Sequence, residues 1–321
     1  MTSVPEAASA AITPEEAVWA EGPWEHRNVS ANGARFHIAT MGEGPLVLLM
    51  HGFPQYWYTW RHLLPRLAEA GYRAVAMDLR GYGGSDHTPH GYDPHTLSAD
   101  AAGVVRSLGA SNAVMVGHGW GGMIAWAAAV MRLSAVRAIV PVSMPHPVML
   151  RRGIVSDPEQ RKLSRYAIGY QWPLAPERAL TKDNGARVET ILRQWAAVPD
   201  WPGEHTAAMY RAAIQFSSTA HCALEYHRWA IRSIPRPDGR RFQQRMEFPV
   251  RQPVLHVVGA DDRSILPRTS DGSESFVRGP YRRVTFPGVG HFPQEEAAKP
   301  FADLLLPWLA GLPPSQGRIG A

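Results

Sequence analysis

The chain has 321 residues, of which 45% are hydrophobic and 19% charged, with 29 Gly and 28 Pro. That composition builds a globular core and excludes a disordered, collagen-like or coiled-coil chain. One cysteine, Cys222, excludes an internal disulfide and a cysteine-built zinc site. The net charge of +5 is spread along the chain without a dense basic stripe or reading motif, so nucleic acid is not an expected partner. No apolar run approaches the roughly 18 residues a membrane span needs. The first residues carry Glu6, Glu15 and Glu16 and no basic-then-apolar pattern, so a membrane partner and a secretory signal are not expected. A cytoplasmic location fits.

Residues 1–22, rich in Ala, Pro and Glu, read as a flexible arm with one short helix from Thr13. Buried strands are expected at Pro45–Met50, Tyr72–Met77, Ala113–Val116 and Arg137–Val142. Helical patterns lie between them at 58–70, 97–108 and 121–131. Strict alternation of strand and helix implies a parallel sheet covered on both faces. After Pro145-His146-Pro147 the rhythm changes. Residues 148–240 read as helical, without a convincing strand. Strands return at 253–258 and 283–286, and a helical stretch at 294–310 is expected to break or kink at Pro300 and Pro307. The expected organisation is an α/β core over 23–147 and 241–313, a helical cap over 148–240, and a flexible tail over 314–321.

The sharpest local motif is Gly117-His118-Gly119-Trp120-Gly121-Gly122, after a strand and opening a helix. That is the context of a nucleophile elbow, whose central residue points into a site at a strained backbone angle. Asp262 follows the strand at 253–258, and His291 follows the last strand. The order nucleophile position, acid, histidine is that of an α/β-hydrolase. Asp261 is the rival acid, one residue away.

Together with His51-Gly52-Phe53-Pro54 and Asp78-Leu79-Arg80-Gly81-Tyr82-Gly83-Gly84-Ser85-Asp86, these motifs resemble the α/β-hydrolase superfamily, and specifically its epoxide hydrolase branch, over residues 24–312. The resemblance implies a mostly parallel, doubly wound sheet with a helical cap. In Tyr166-Ala167-Ile168-Gly169-Tyr170-Gln171-Trp172-Pro173 it implies a first cap tyrosine, Tyr166, that holds the epoxide oxygen, with Tyr170 as its rival. In Leu224-Glu225-Tyr226-His227-Arg228 it implies a second, Tyr226. The departure is at the elbow: such epoxide hydrolases carry aspartate where this chain has Gly119. Glycine cannot attack carbon, so the covalent route is closed; loss of the nucleophile costs about a million-fold in a dissected protease.

Three readings of Gly119 stand: decay of a dead site, an aspartate-to-glycine change introduced to trap a ligand, and altered chemistry. Retention of His291, Asp262, Tyr166 and Tyr226 favours the third. The tyrosines are protonated donors, and His291 oriented by Asp262 is a general base. The preferred expectation is opening of an epoxide by a carbon or oxygen of the same substrate, giving cyclisation or C–C bond formation. Effective molarity favours this over attack by activated water, which remains an alternative, as does a silent ligand-binding protein. The resemblance points to natural-product biosynthesis, such as that of polyketides or enediynes. The partner expected is a large aromatic epoxide, with a homodimer left open.

Other residues carry two readings. Phe53 and Trp120 offer backbone N–H groups for an oxyanion hole or simply line the pocket. His51 supports the loop beneath the site more readily than it does chemistry. Tyr170 and Trp172 are pocket candidates, although packing within the cap accounts for most of its tryptophans. Asp78 and Asp86 hold a turn, and Cys222 is a small buried residue. Fourteen His without paired ligand spacing give no metal site, and no cofactor is expected.

Overall fold

The computed structural model describes residues 12–313. An eight-stranded sheet has the order β1-β2-β4-β3-β5-β6-β7-β8. The strands are β1 Glu25–Ala31, β2 Ala34–Met41, β3 Leu46–Met50, β4 Arg73–Met77, β5 Ala113–His118, β6 Val136–Val142, β7 Val254–Gly259 and β8 Tyr281–Phe286. From β4 to β8 every pairing is parallel, whereas β1 and β2 join antiparallel. Strands β3, β5 and β7 are buried along their whole length, which explains their unbroken apolar runs. This is the parallel sheet expected from the strand–helix alternation, in the mostly parallel form that the family resemblance implies.

Helices in chain order are α1 Pro14–Val18, α2 Leu63–Glu69, α3 Pro94–Ser107, α4 Trp120–Met131, α5 Pro147–Ser156, α6 Pro158–Leu163, α7 Tyr166–Gly169, α8 Ala175–Trp195, α9 Glu204–Ala213, α10 Thr219–Arg232, α11 Pro237–Met246, α12 Pro293–Glu296 and α13 Ala298–Ala310. Everything between β6 and β7 is helix or loop, and α11 runs on past residue 240, where the return to the core was expected.

Two expectations need correction, and one element is new. Residues 12–22 are not a free arm. Thr13 caps α1 in a reciprocal capping box, Ala17 and Val18 are fully buried, and the Tyr56 hydroxyl and Trp57 indole donate to their carbonyls. The arm's first 11 residues and the tail at 314–321 lie outside the described residues. The hairpin β1–β2 was not anticipated. The C-terminal helix breaks at Ala297, not at Pro300 or Pro307: Pro300 lies in the first turn of α13, where no intrahelical donor is lost, and Pro307 is carried inside it.

Chain order reverses around β3, which has β4 on one side and β5 on the other. The crevice outside the carboxyl ends of two such strands is where open α/β sheets bind ligands. His51 to Phe53 follow β3, and Gly119 follows β5.

Candidate active site

Gly119 turns β5 into α4 at φ 50° and ψ −116°. A side chain is strained at this angle, as the centre of an elbow requires. The turn closes because its flanking glycines have no Cβ. A methyl at Gly117 would lie 2.1 Å from the Gly121 carbonyl oxygen, and one at Gly121 would lie 2.2 Å from that of Met50. Gly119 differs: a Cβ built on it meets only the Cα of Gly52, at 3.5 Å. The space above the elbow is open.

His291 packs against the elbow, its ring 4.9 Å from that of His118. Its Nδ1 donates to Asp262 Oδ2 at 2.7 Å. A carboxylate only accepts, so a proton sits on Nδ1, and in the neutral imidazole Nε2 carries the lone pair. Nε2 makes no hydrogen bond among the described residues. Asp262 is fixed in turn by the backbone N–H groups of Ser264 and Ile265, at 2.8 and 2.9 Å on Oδ1. Asp261 is exposed, so the geometry selects Asp262 as the partner. His118 donates from Nε2 to the His291 carbonyl at 2.9 Å, tying the elbow to the histidine loop.

Glu296, which the sequence reading missed, anchors the same loop. Its carboxylate accepts from the N–H groups of Gly290 and Phe292 on either side of His291, and from Ala197 and Val198 at the end of α8. One carboxylate thus binds the His291 loop to the segment after α8. A second latch is Glu295, which accepts from Gln55 at 2.6 Å, Arg61 at 2.8 Å and the Tyr210 hydroxyl.

Tyr166 lies at the start of α7, its ring 5.3 Å from that of Trp195 and 5.4 Å from that of Tyr170. Burial pushes its phenol up to about 12; the nearby Ser264 opposes this and the charge of Asp262 adds to it. Burial likewise raises the Tyr170 phenol, with Tyr166 adding to it. Both are protonated donors at neutral pH. Phe53 packs its ring 5.8 Å from Tyr170. The N–H of Phe53 and that of Trp120, the first residue of α4, make no hydrogen bond to another described backbone group, which leaves both as donors at the elbow.

Tyr226 does not join this group. Its buried hydroxyl donates to the Arg80 carbonyl at 2.7 Å, and its ring packs on Tyr82 and Tyr92. It seals α10 to the loop after β4. The next residue, His227, faces the site instead, 5.0 Å from Phe53, 5.7 Å from Tyr166 and 5.5 Å from Trp120 between ring centroids. One residue is about 100° of helix turn, so the two side chains leave α10 in different directions: both rings meet Trp120, but only the Tyr226 hydroxyl is committed to the Arg80 carbonyl. Trp172 is also outside the site: it is 70% exposed, and its carbonyl accepts from Arg228. His51 takes the supporting role, fully buried and accepting the Leu79 N–H at 3.0 Å. Asp78 holds the turn through Trp57 and Gly84, and Asp86 accepts from Arg35. Cys222 is buried. Among the described residues no cluster suits a metal ion, and no helix is long and apolar enough to cross a membrane.

An elbow after β5, an acid after β7 and a histidine after β8 are the ordered parts of one recognised architecture. Residues 46–304 match the Alpha/beta hydrolase family. The chain belongs to that family. Within it, this α/β hydrolase is 31% identical over 318 residues to Epoxide hydrolase A of Mycobacterium tuberculosis, covering 89% of this chain and 97% of that one. It is 31% identical over 286 residues to Epoxide hydrolase 3 of Xenopus tropicalis, covering 86% and 75%. Among solved structures, an epoxide hydrolase from an endophytic Streptomyces superposes with a TM-score of 0.79 at 28% identity, covering 91% of this chain and 97% of that one. Epoxide Hydrolase A from Mycobacterium thermoresistibile gives 0.77 at 26% identity, covering 90% and 99%. The α/β hydrolase described here is therefore epoxide hydrolase-like.

Proposed function

We propose that this α/β hydrolase opens an epoxide without forming a covalent enzyme intermediate, by directing a nucleophile of the same substrate onto the epoxide carbon. Gly119 stands, in this reading, where the epoxide hydrolase branch carries its nucleophilic aspartate. The observation that carries it is an intact His291–Asp262 pair, with Nε2 free, beside an elbow whose central residue has open space in place of a side chain.

His291 Nε2 takes a proton from a carbon or hydroxyl of the substrate. The resulting anion attacks the epoxide carbon, and the C–O bond breaks. Tyr166 gives its phenolic proton to the departing oxygen, and the proton on His291 returns to Tyr166. No atom is gained or lost, so the product is an isomer of the substrate, cyclised or carrying a new C–C bond. A donor aimed at a developing alkoxide contributes on the order of 3 kcal/mol. An internal nucleophile brings an effective molarity of up to about 10⁵ M or more, an advantage water does not have. The aromatic walls formed by Phe53, Trp120, Tyr166 and Tyr170 support a large aromatic epoxide as substrate, of the kind made in natural-product biosynthesis.

Restoring the carboxylate tests this. The Cβ of Gly119→Asp meets only the Gly52 Cα, at 3.5 Å, and the change costs about 1–3 kcal/mol of stability because φ is positive. Incubated with styrene oxide, the variant is expected to gain the mass of a covalent adduct and to release diol, while the parent protein does neither. A covalent adduct on the parent contradicts the proposal.

A further inference from the structure

We propose that His227 and Trp120 form a subsite that receives a neutral hydroxyl of the substrate, a phenol or an alcohol, and thereby sets which way the epoxide lies. The inference rests on the reading of the site as an epoxide-opening one and adds the second recognition point. His227 lies on α10 with its ring buried among Phe53, Tyr166, Tyr170 and Trp120, all at centroid distances between 5.0 and 5.7 Å. Its two nitrogens have different work. Nδ1 lies 3.3 Å from the Ala223 carbonyl, one turn back on the same helix, and a carbonyl only accepts. The proton therefore sits on Nδ1. Nε2 is then an acceptor, and the only donor on it among the described residues is the Trp120 indole N–H at 3.3 Å. That distance is at the long limit of a hydrogen bond, so the lone pair is poorly satisfied by the protein alone.

The polarity of this wall follows. The neighbouring Tyr166 and Tyr170 carry O–H groups, which suit the epoxide oxygen and its alkoxide. At His227 the wall presents a lone pair, which repels an epoxide oxygen and attracts an O–H. The rings around His227 are uncharged, and the Asp262 carboxylate is occupied by His291 and two backbone donors. An ammonium donor would be left without counter-charge there, so a neutral hydroxyl is the fitting class. Burial holds the imidazole down to about 4, which keeps the lone pair available at neutral pH. Trp120 follows Gly119 directly, so a substrate seated over the elbow reaches this subsite with its adjoining ring.

Two readouts test the subsite without requiring turnover. The first is binding of a naphthyl glycerol ether and its ring-hydroxylated isomers, measured by quenching of tryptophan fluorescence. The parent is expected to bind at least one hydroxylated isomer about tenfold more tightly than the unsubstituted ether. His227→Phe is expected to bring that ratio within about twofold of unity, and His227→Gln, which keeps an acceptor, to retain most of it. An unchanged ratio in a folded His227→Phe, or no preference for any isomer in the parent, overturns the subsite while leaving the proposed reaction standing. Binding of neither ether overturns both. The second readout is the ¹⁵N spectrum of the parent, which does not depend on a variant folding. Nε2 of His227 is expected as an unprotonated nitrogen at pH 7 that moves on adding the preferred isomer. A proton on Nε2 overturns the assignment.

Discussion

His291→Ala is expected to lower turnover on the substrate by about 10³-fold while leaving substrate affinity within a few-fold. A positioned general base contributes about 10² to 10⁴ in rate, and here no second base stands ready to replace it. Asp262 is held by two backbone N–H groups and makes its third bond to His291. Removing the imidazole leaves that carboxylate with two donors, so the fold is retained and the loss falls on chemistry. Asp262→Asn is expected to fall between parent and His291→Ala, because it frees the tautomer of the imidazole without deleting it. Steady-state kinetics separates the cases: a fall in kcat with KM nearly unchanged marks a group acting in the transition state. A protein that merely binds the ligand shows no turnover to lose and unchanged affinity in both variants.

Acidification is expected to unfold the protein cooperatively between about pH 6 and 4.5. The cause is a set of histidines buried in the neutral form. Burial lowers His51 and His227 to about 4, and His146 and His256 to about 3. It also pushes His118 well below its ordinary value, with the neighbouring His291 adding to this. In the unfolded chain each takes a proton near 6.5. Above that pH neither state is protonated and the stability is complete. As pH falls through 6.5 the unfolded state binds protons that the folded state refuses, so stability is lost until the folded values are reached. For His51 and His227 alone this comes to roughly 3 kcal/mol each, against a total of about 5–15 kcal/mol for a whole domain. Circular dichroism against pH checks it. A protein still folded at pH 3.5 contradicts the neutral burial of these rings.

The parallel core was legible because its central strands β3, β5 and β7 are buried on both faces, so runs such as Leu46–Met50 stand out without alternation. The hairpin β1–β2 was not, because β1 is largely solvent-facing: only Ala31 of its seven residues is buried. Its turn did carry a signal, Asn32-Gly33, with both residues at positive φ (46° and 75°), the pattern of a two-residue hairpin turn. The acid–histidine pair was legible from position after strands. The second cap residue was not, because a tyrosine and a histidine stand side by side in α10 and only the helix phase tells which one turns inward. Glu296 was illegible for another reason: its four backbone partners come from two segments about a hundred positions apart in the chain, and only folding brings them together. Trp172 shows the limit of composition, since an aromatic in a cap motif can lie in solvent.

The most direct measurement is the mass of the product formed in H₂¹⁸O from an aryl epoxide that bears a hydroxyl able to reach the epoxide carbon. Opening by the substrate's own nucleophile gives a product of the same mass as the substrate, with no ¹⁸O from solvent. A diol heavier by one water and carrying ¹⁸O contradicts the account, and assigns the space above Gly119 to a water molecule activated by His291.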